Sequence, residues 1–303
     1  MRKFMGLTRR NLLLYFKDVQ SVVFSLLTSI IVFVLYLFFL KSSFVDSIEA
    51  SMQGLEDLID RADIEMFVNG FLLSGILGSA MITVPYHCLG TIVKDKENKI
   101  DYDVSVTPMK RGQIVLSYFT AAAFSAFLMT TLIMLVGVLL LSLQGDLYLG
   151  NRELLALLGV TFLGAVSSTA LFMLVVLFFQ TFSASSAFFG ILSAAAGFVI
   201  GAYIPISQFS EGVQTFCNIF PGTGVTVLYR NVLLNGVLDH IDASIGGVDE
   251  GMFVESMKEF FAFQTKLFGN ELDRNVVAIY VGAFTVLCIV LMVLIYPKVY
   301  KRK

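Results

Sequence analysis

Few residues in this chain of 303 could do chemistry. Its two imidazoles are His87, beside Pro85 and Cys88, and His240, next to Asp239 and close to Asp242. The second group has metal-ligand types, but its ligand spacing is incomplete. His87 ends an apolar stretch, where an ionisable group is a functional candidate by default, and it can equally sit there neutral in a structural role. Cys88, Cys217 and Cys288 show no motif spacing and read as small packing residues. Neither His-Glu-x-x-His nor Gly-x-Ser-x-Gly occurs, and no phosphate loop of the form Gly-x-x-x-x-Gly-Lys-Ser/Thr is present. The chain is therefore expected not to be an enzyme, to hold no metal or cofactor, and not to split ATP itself. The remaining polar concentration is a segment of mixed charge, 94–111, containing Asp95, Lys96, Glu97, Lys99, Asp101, Tyr102 and Asp103. By composition alone it is a connector.

What must position that segment is read from composition. Hydrophobic residues make up 57% of the chain and charged residues 15%, against about 25% charged in a soluble domain. Mean hydropathy is +0.82. Residues 154–210 hold no Asp, Glu, Lys or Arg, which no soluble core requires. With a net charge of −2 and no basic domain, a nucleic-acid partner is excluded. The sequence is that of a polytopic membrane protein in one domain, 1–303. Spans are expected near 19–40, 66–93, 112–143, 154–180, 186–205 and 275–296. All are helices, because lipid leaves no other open way to satisfy the backbone.

The positive-inside rule tests that count. With six spans, one side carries 14 of the 21 Lys/Arg and 5 acids, and the other 7 Lys/Arg and 18 acids. Both termini and the 94–111 segment are thus expected in the cytoplasm, with the protein in the cytoplasmic membrane. An apolar segment longer than a signal peptide's argues that the first span is retained.

Outside the spans, residues 1–18 place Arg2, Lys3, Arg9, Arg10 and Lys17 on one helical face, opposite Phe4, Met5, Leu12, Tyr15 and Phe16. This suits a helix lying in the membrane surface, although a basic flank would satisfy the charge rule alone. Leu55, Leu58, Ile59 and Ala62 predict a short helix leading into the second span. Residues 253–268, with Phe253, Met257, Phe260, Phe261, Leu267 and Phe268, predict another, after a glycine-rich loop at 244–251. Ser207–Phe220 and Val225–Leu238 are each too short to cross, with Pro221-Gly222-Thr223-Gly224 between them. They read as re-entrant half-helices within the outer loop 206–274, or as a pair of surface helices. The run Ser193-Ala-Ala-Ala-Gly197 followed by Gly201 allows close helix approach, within the chain or against a second copy.

Taken together these features resemble the membrane subunit of ABC-2 type transporters. The resemblance rests on the basic N-terminal helix, the six spans, and the mixed-charge loop ending in Val106-Thr107-Pro108-Met109-Lys110-Arg111. It rests also on Ile204-Pro205-Ile206 and Phe220-Pro221-Gly222 before the last span. Glu97 stands where that family has an acid in an Arg-Glu-x-Gly pattern, with Lys96 for the Arg and Lys99 in place of the Gly. The resemblance implies that 94–111 is a coupling helix docking on a separate ABC ATP-binding subunit, which binds ATP and Mg. It implies a second permease copy or a homologous partner, and re-entrant helices on the far side. The expected function is export of an amphipathic, drug-, peptide- or polysaccharide/lipid-like cargo. Its rivals are an ion-coupled secondary transporter, which would carry buried charges in its spans, and a polytopic protein with no transport role.

Overall fold

The computed structural model describes residues 2–52, 54–55, 57–267 and 269–299. α1 (Arg2–Lys17) precedes α2 (Val19–Leu35), which passes through a π turn, Tyr36–Leu40, into α3 (Lys41–Ser51). α4 (Arg61–Cys88), α5 (Gly90–Glu97) and α6 (Ile100–Val106) follow, then α7 (Arg111–Ser142), α8 (Asn151–Val176) and α9 (Phe182–Val199). After a 3-10 turn at Ile206–Gln208 come α10 (Glu211–Ile219), α11 (Pro221–Ile245) and α12 (Met252–Phe260). An antiparallel hairpin of β1 (Thr265–Leu267) and β2 (Asn270–Leu272) leads into α13 (Arg274–Val299). Six helical stretches are long and apolar enough to cross a membrane: Val19–Ser51, Arg61–Glu97, Arg111–Ser142, Asn151–Val176, Phe182–Val199 and Arg274–Val299. The molecule is an all-α polytopic membrane protein.

α4 is the hub. Every residue from Met66 to Tyr86 is buried, because α2, α7, α8 and α11 surround it. Small residues permit that crowding, as they do wherever packing rather than hydrophobicity joins helices. Gly78 lies against Thr226 of α11, and a Cβ on Gly75 would come within 2.9 Å of Ala202. Replacing Gly78 by Leu is expected to push α11 off α4 and cost about 1–3 kcal/mol, the usual penalty of overpacking. The check is the thermal midpoint in detergent beside Gly159→Leu, a position where an added Cβ meets nothing within 4 Å. Equal midpoints for the two variants would show that α11 does not need this contact.

Several local expectations need correction. Among the described residues at 54–60 there is no helix where one is predicted around Leu55–Ile59: Gly54 has φ of +95°, and Asp60 is extended so that its carboxylate can cap α4 at the Ala62 amide. The helical segment of that loop is α3, continuous with α2. Pro221–Gly224 is no turn between half-helices but the first turn of the 25-residue α11, with Pro221 at a position where its missing N–H has no intrahelical role. The helix predicted over 253–268 ends at Phe260 and gives way to the β hairpin. Phe268 and the basic residues 301–303 lie outside the described residues.

α1 buries Asn11 and Tyr15 against α7, while Met5, Leu13 and Phe16 stay exposed. Arg10 turns inward, away from the expected basic face. In α9, Ala196 and Gly197 are buried whereas Ala194 and Ala195 are exposed, so this small-residue run is only partly covered within the chain.

Candidate functional site

At the end of the bundle that carries both termini, α4 does not hand over directly to α7. The chain steps sideways at Leu89, forms α5, reverses at Lys99 in the left-handed conformation (φ 61°), and forms α6. Thr107, held extended before Pro108, stops α6, since a residue preceding proline avoids helical angles.

The expected coupling residues separate into two groups. Asp95 is 4% exposed. Its carboxylate accepts two hydrogen bonds from the Arg10 guanidinium (2.5 and 2.9 Å) and one from the Tyr118 hydroxyl (2.5 Å), tying α5 to α1 and α7. That hydrogen bond with Asp95 raises the Arg10 guanidinium above its ordinary range. Lys96 Nζ donates to the Leu177 and Phe179 carbonyls at 3.1 and 3.0 Å, where a cation meets the orphan carbonyls ending α8. Glu97 Oε2 accepts from the Phe182 amide (3.0 Å), an anion at the start of α9. Beside them, Lys94 Nζ donates to Asp18 (2.7 Å), which also caps α2 through the Ser21 amide. The Lys94 bond, aided by Ser21, depresses Asp18 to about 2. α5 is thereby fastened to five helices.

α6 has the opposite character. Lys99, Tyr102 and Asp103 are exposed, and Val106 is 70% exposed. Asp101 is half-buried with one carboxylate oxygen unpartnered, and burial raises its pKa. Only Val104 and Met109 lean on the core. Between this segment and α1 lies a cleft of about 450 Å³ lined by Lys3, Gly6, Leu7, Val104, Pro108 and Met109. The elbow therefore has a fixed half and a presented half.

Pro221, Gly222, Thr223 and Gly224 are all buried. The Thr223 hydroxyl lies 2.7 Å from the Cys217 carbonyl and 3.1 Å from that of Val199, and Gly224 packs against Val277 and Val281 of α13. Thr226 facing Gly78 sets the beginning of α11 alongside the middle of α4, not at its end.

Sequence reasoning missed Arg230. It is fully buried on α11, and its guanidinium donates to the Ile200 and Gly201 carbonyls (3.2 and 2.6 Å) and to those of Phe261 and Ala262 (3.0 and 3.2 Å). The Phe71 ring lies 4.7 Å away. These carbonyls end α9 and α12, so one cation serves the negative ends of two helices. The signal was present: Arg230 is the single Lys or Arg between Ile206 and His240.

His87 lies edge-on to Phe189 at 4.3 Å, with a buried unpartnered Nε2. His240 stacks on Tyr148 at 4.5 Å and sits 3.5 Å from Asp63. Among the described residues no three His, Cys, Asp or Glu side chains could hold a metal ion. The three cysteines are buried and free.

A family model described as ABC-2 family transporter protein matches residues 47–296. Neither a curated protein nor a solved structure matches the chain.

Proposed function

Since this chain belongs to the ABC-2 transporter family, we propose that it is the permease of a bacterial exporter driven by a separate ATP-binding subunit. ATP and Mg bind in that subunit, and this chain contributes no catalytic residue and no cofactor. The permease works as a pair, with a second copy or a homologous partner lining the route for an amphipathic cargo. It lies in the cytoplasmic membrane with both termini and the α5–α6 elbow in the cytoplasm, a reading supported by the excess of Lys/Arg on that side. The α10–α11 pair enters from the outer side and turns back.

One observation carries the mechanism: the contrast between an exposed α6 and an α5 fastened to α1, α2, α7, α8 and α9. ATP-driven closure of the partner pushes Lys99, Tyr102, Asp103 and Val106. The push then reaches the bundle through Asp95, Lys96 and Glu97, which act as positioning residues rather than contacts, with Asp101 at the joint between the halves. The buried contact of Asp95 transmits displacement because packed interiors compress little, and Lys96 and Glu97 add direct ties to the ends of α8 and α9.

The joint variant Tyr102→Ala/Asp103→Lys is expected to weaken association with the ATP-binding subunit by about 30-fold or more, the loss typical of an exposed aromatic anchor at an interface. Glu97→Lys should instead leave association intact and depress cargo-stimulated ATP hydrolysis. Co-purification and hydrolysis at native levels in both variants would remove the elbow from the coupling path.

A further inference from the structure

Next to the Asp95 link, where α1, α5 and α7 meet, lies a cavity of about 10 Å³, room for one water molecule and nothing larger. Its polar walls come from three helices. Asn11 and Tyr15 belong to α1, Thr91 to α5, and Tyr118 and Ser125 to α7, with Cys88 closing one side.

Two of these side chains are buried without a partner. Asn11 is 3% exposed and Ser125 1%. Arg10 donates to Asn11 Oδ1 at 3.0 Å, which fixes the amide with its Nδ2 turned the other way. That Nδ2 finds no acceptor among the described residues. Elsewhere in α7 the hydroxyls of Ser117 and Thr120 donate to carbonyls of their own helix, those of Ile114 and Leu116. The Ser125 hydroxyl makes no such bond. Leaving a buried polar group unpaired is costly, so two of them on the wall of one small cavity point to an occupant that both accepts and donates hydrogen bonds.

We infer that this cavity binds one ordered water, which accepts from Asn11 Nδ2 and shares a hydrogen bond with the Ser125 hydroxyl, with Thr91 as a third polar neighbour. Buried waters are typically held by about three such groups. A cation is unsuited, because the Asn11 group is a donor. A halide is unsuited too: Arg10 is already committed to Asp95, and an uncompensated buried charge is expensive. A second cavity of about 280 Å³ shares Tyr15 and Thr91 and reaches the exposed Asn98, which gives the water a route from the end of the bundle that carries the termini. α1 is thus seated by an ion pair on one side and by an exchangeable molecule on the other, so it can shift against α7 without orphaning the Asn11 amide. The assignment needs neither the ATP-binding subunit nor the coupling mechanism proposed above.

The test is X-ray hydroxyl-radical labelling of the purified permease, read by mass spectrometry. Radiolysis of a bound water oxidises the side chains beside it even where bulk solvent does not reach. Cys88, on the cavity wall and 5% exposed, is the sensor; Cys288, 3% exposed and outside the cavity, is the reference. The native protein should show oxidation of Cys88 well above that of Cys288. Ser125→Val removes the hydroxyl and fills the space with methyl groups, and should bring Cys88 down to the Cys288 level. Asn11→Leu should give the same loss if the valine variant does not fold. Equal oxidation of the two cysteines in the native protein, or oxidation of Cys88 that persists in a folded variant, would overturn the assignment.

Discussion

Arg230→Met is expected to be among the most damaging single substitutions in this protein. Methionine keeps much of the stem but abandons four carbonyls at the ends of α9 and α12. Hydrogen bonds from a charged donor contribute about 1.5–3 kcal/mol each. Relief of burying an unpaired charge, several kcal/mol, offsets part of that loss. A net loss of about 3 kcal/mol remains, or a fall of about 6–10 °C in the unfolding midpoint at the usual conversion. Arg230→Lys should fall between the two, because one ammonium cannot span both carbonyl pairs as the planar fork does. Limited proteolysis at the 246–251 loop should accelerate in the same order. A methionine variant melting with the native protein would mean that the two helix ends need no common cation.

The second large effect concerns Asp95. Asp95→Ala strips the Arg10 guanidinium and the Tyr118 hydroxyl of their shared acceptor at a buried place. Removing one member of a buried pair costs about 3–5 kcal/mol, and here the lower end applies because Arg10 is a third exposed. The loss falls on one joint, the seat of α1 on α5 and α7. A cysteine placed at Asn11, buried in the native protein, should become open to a water-soluble maleimide in the Asp95→Ala background and stay protected otherwise. Asp95→Glu tests whether geometry matters beyond charge. Continued protection of position 11 in the alanine variant would show that apolar packing alone seats α1.

Asp95 also marks where sequence reading stops. Six apolar blocks and the lopsided distribution of Lys/Arg were enough to place the crossings, because a bilayer imposes both signals along the chain. The 94–103 charges were legible as a group but not individually. Asp95 looks as solvated as Asp103 in one dimension, and the anchoring contacts of Lys96 and Glu97 are as invisible there as its burial. Their partners, Arg10, Tyr118, the carbonyls near Leu177 and the Phe182 amide, lie 23 to 85 positions away. A carboxylate's burial follows from what folds over it, which no local pattern records. α11 failed for a related reason. Its proline and glycines look like a turn, yet proline fits a first helical turn and the glycines are demanded by neighbours such as α13. Leu55 and Ile59 have helical spacing but sit in turns, packed against the core all the same.

The complete enclosure of α4 has a consequence for how the protein is made. A segment that touches only other helices in the finished molecule must first enter the bilayer with greasy neighbours on every side. It carries Asn69, Ser74, Ser79 and Thr83 into that setting, groups that lipid tolerates poorly. α2 leaves the ribosome before it, whereas α11 emerges some 140 residues later. During that interval the flank that will receive α11 is bare. Biogenesis therefore includes a half-sheathed stage, when a membrane chaperone or a premature embrace by another nascent copy would find its opening.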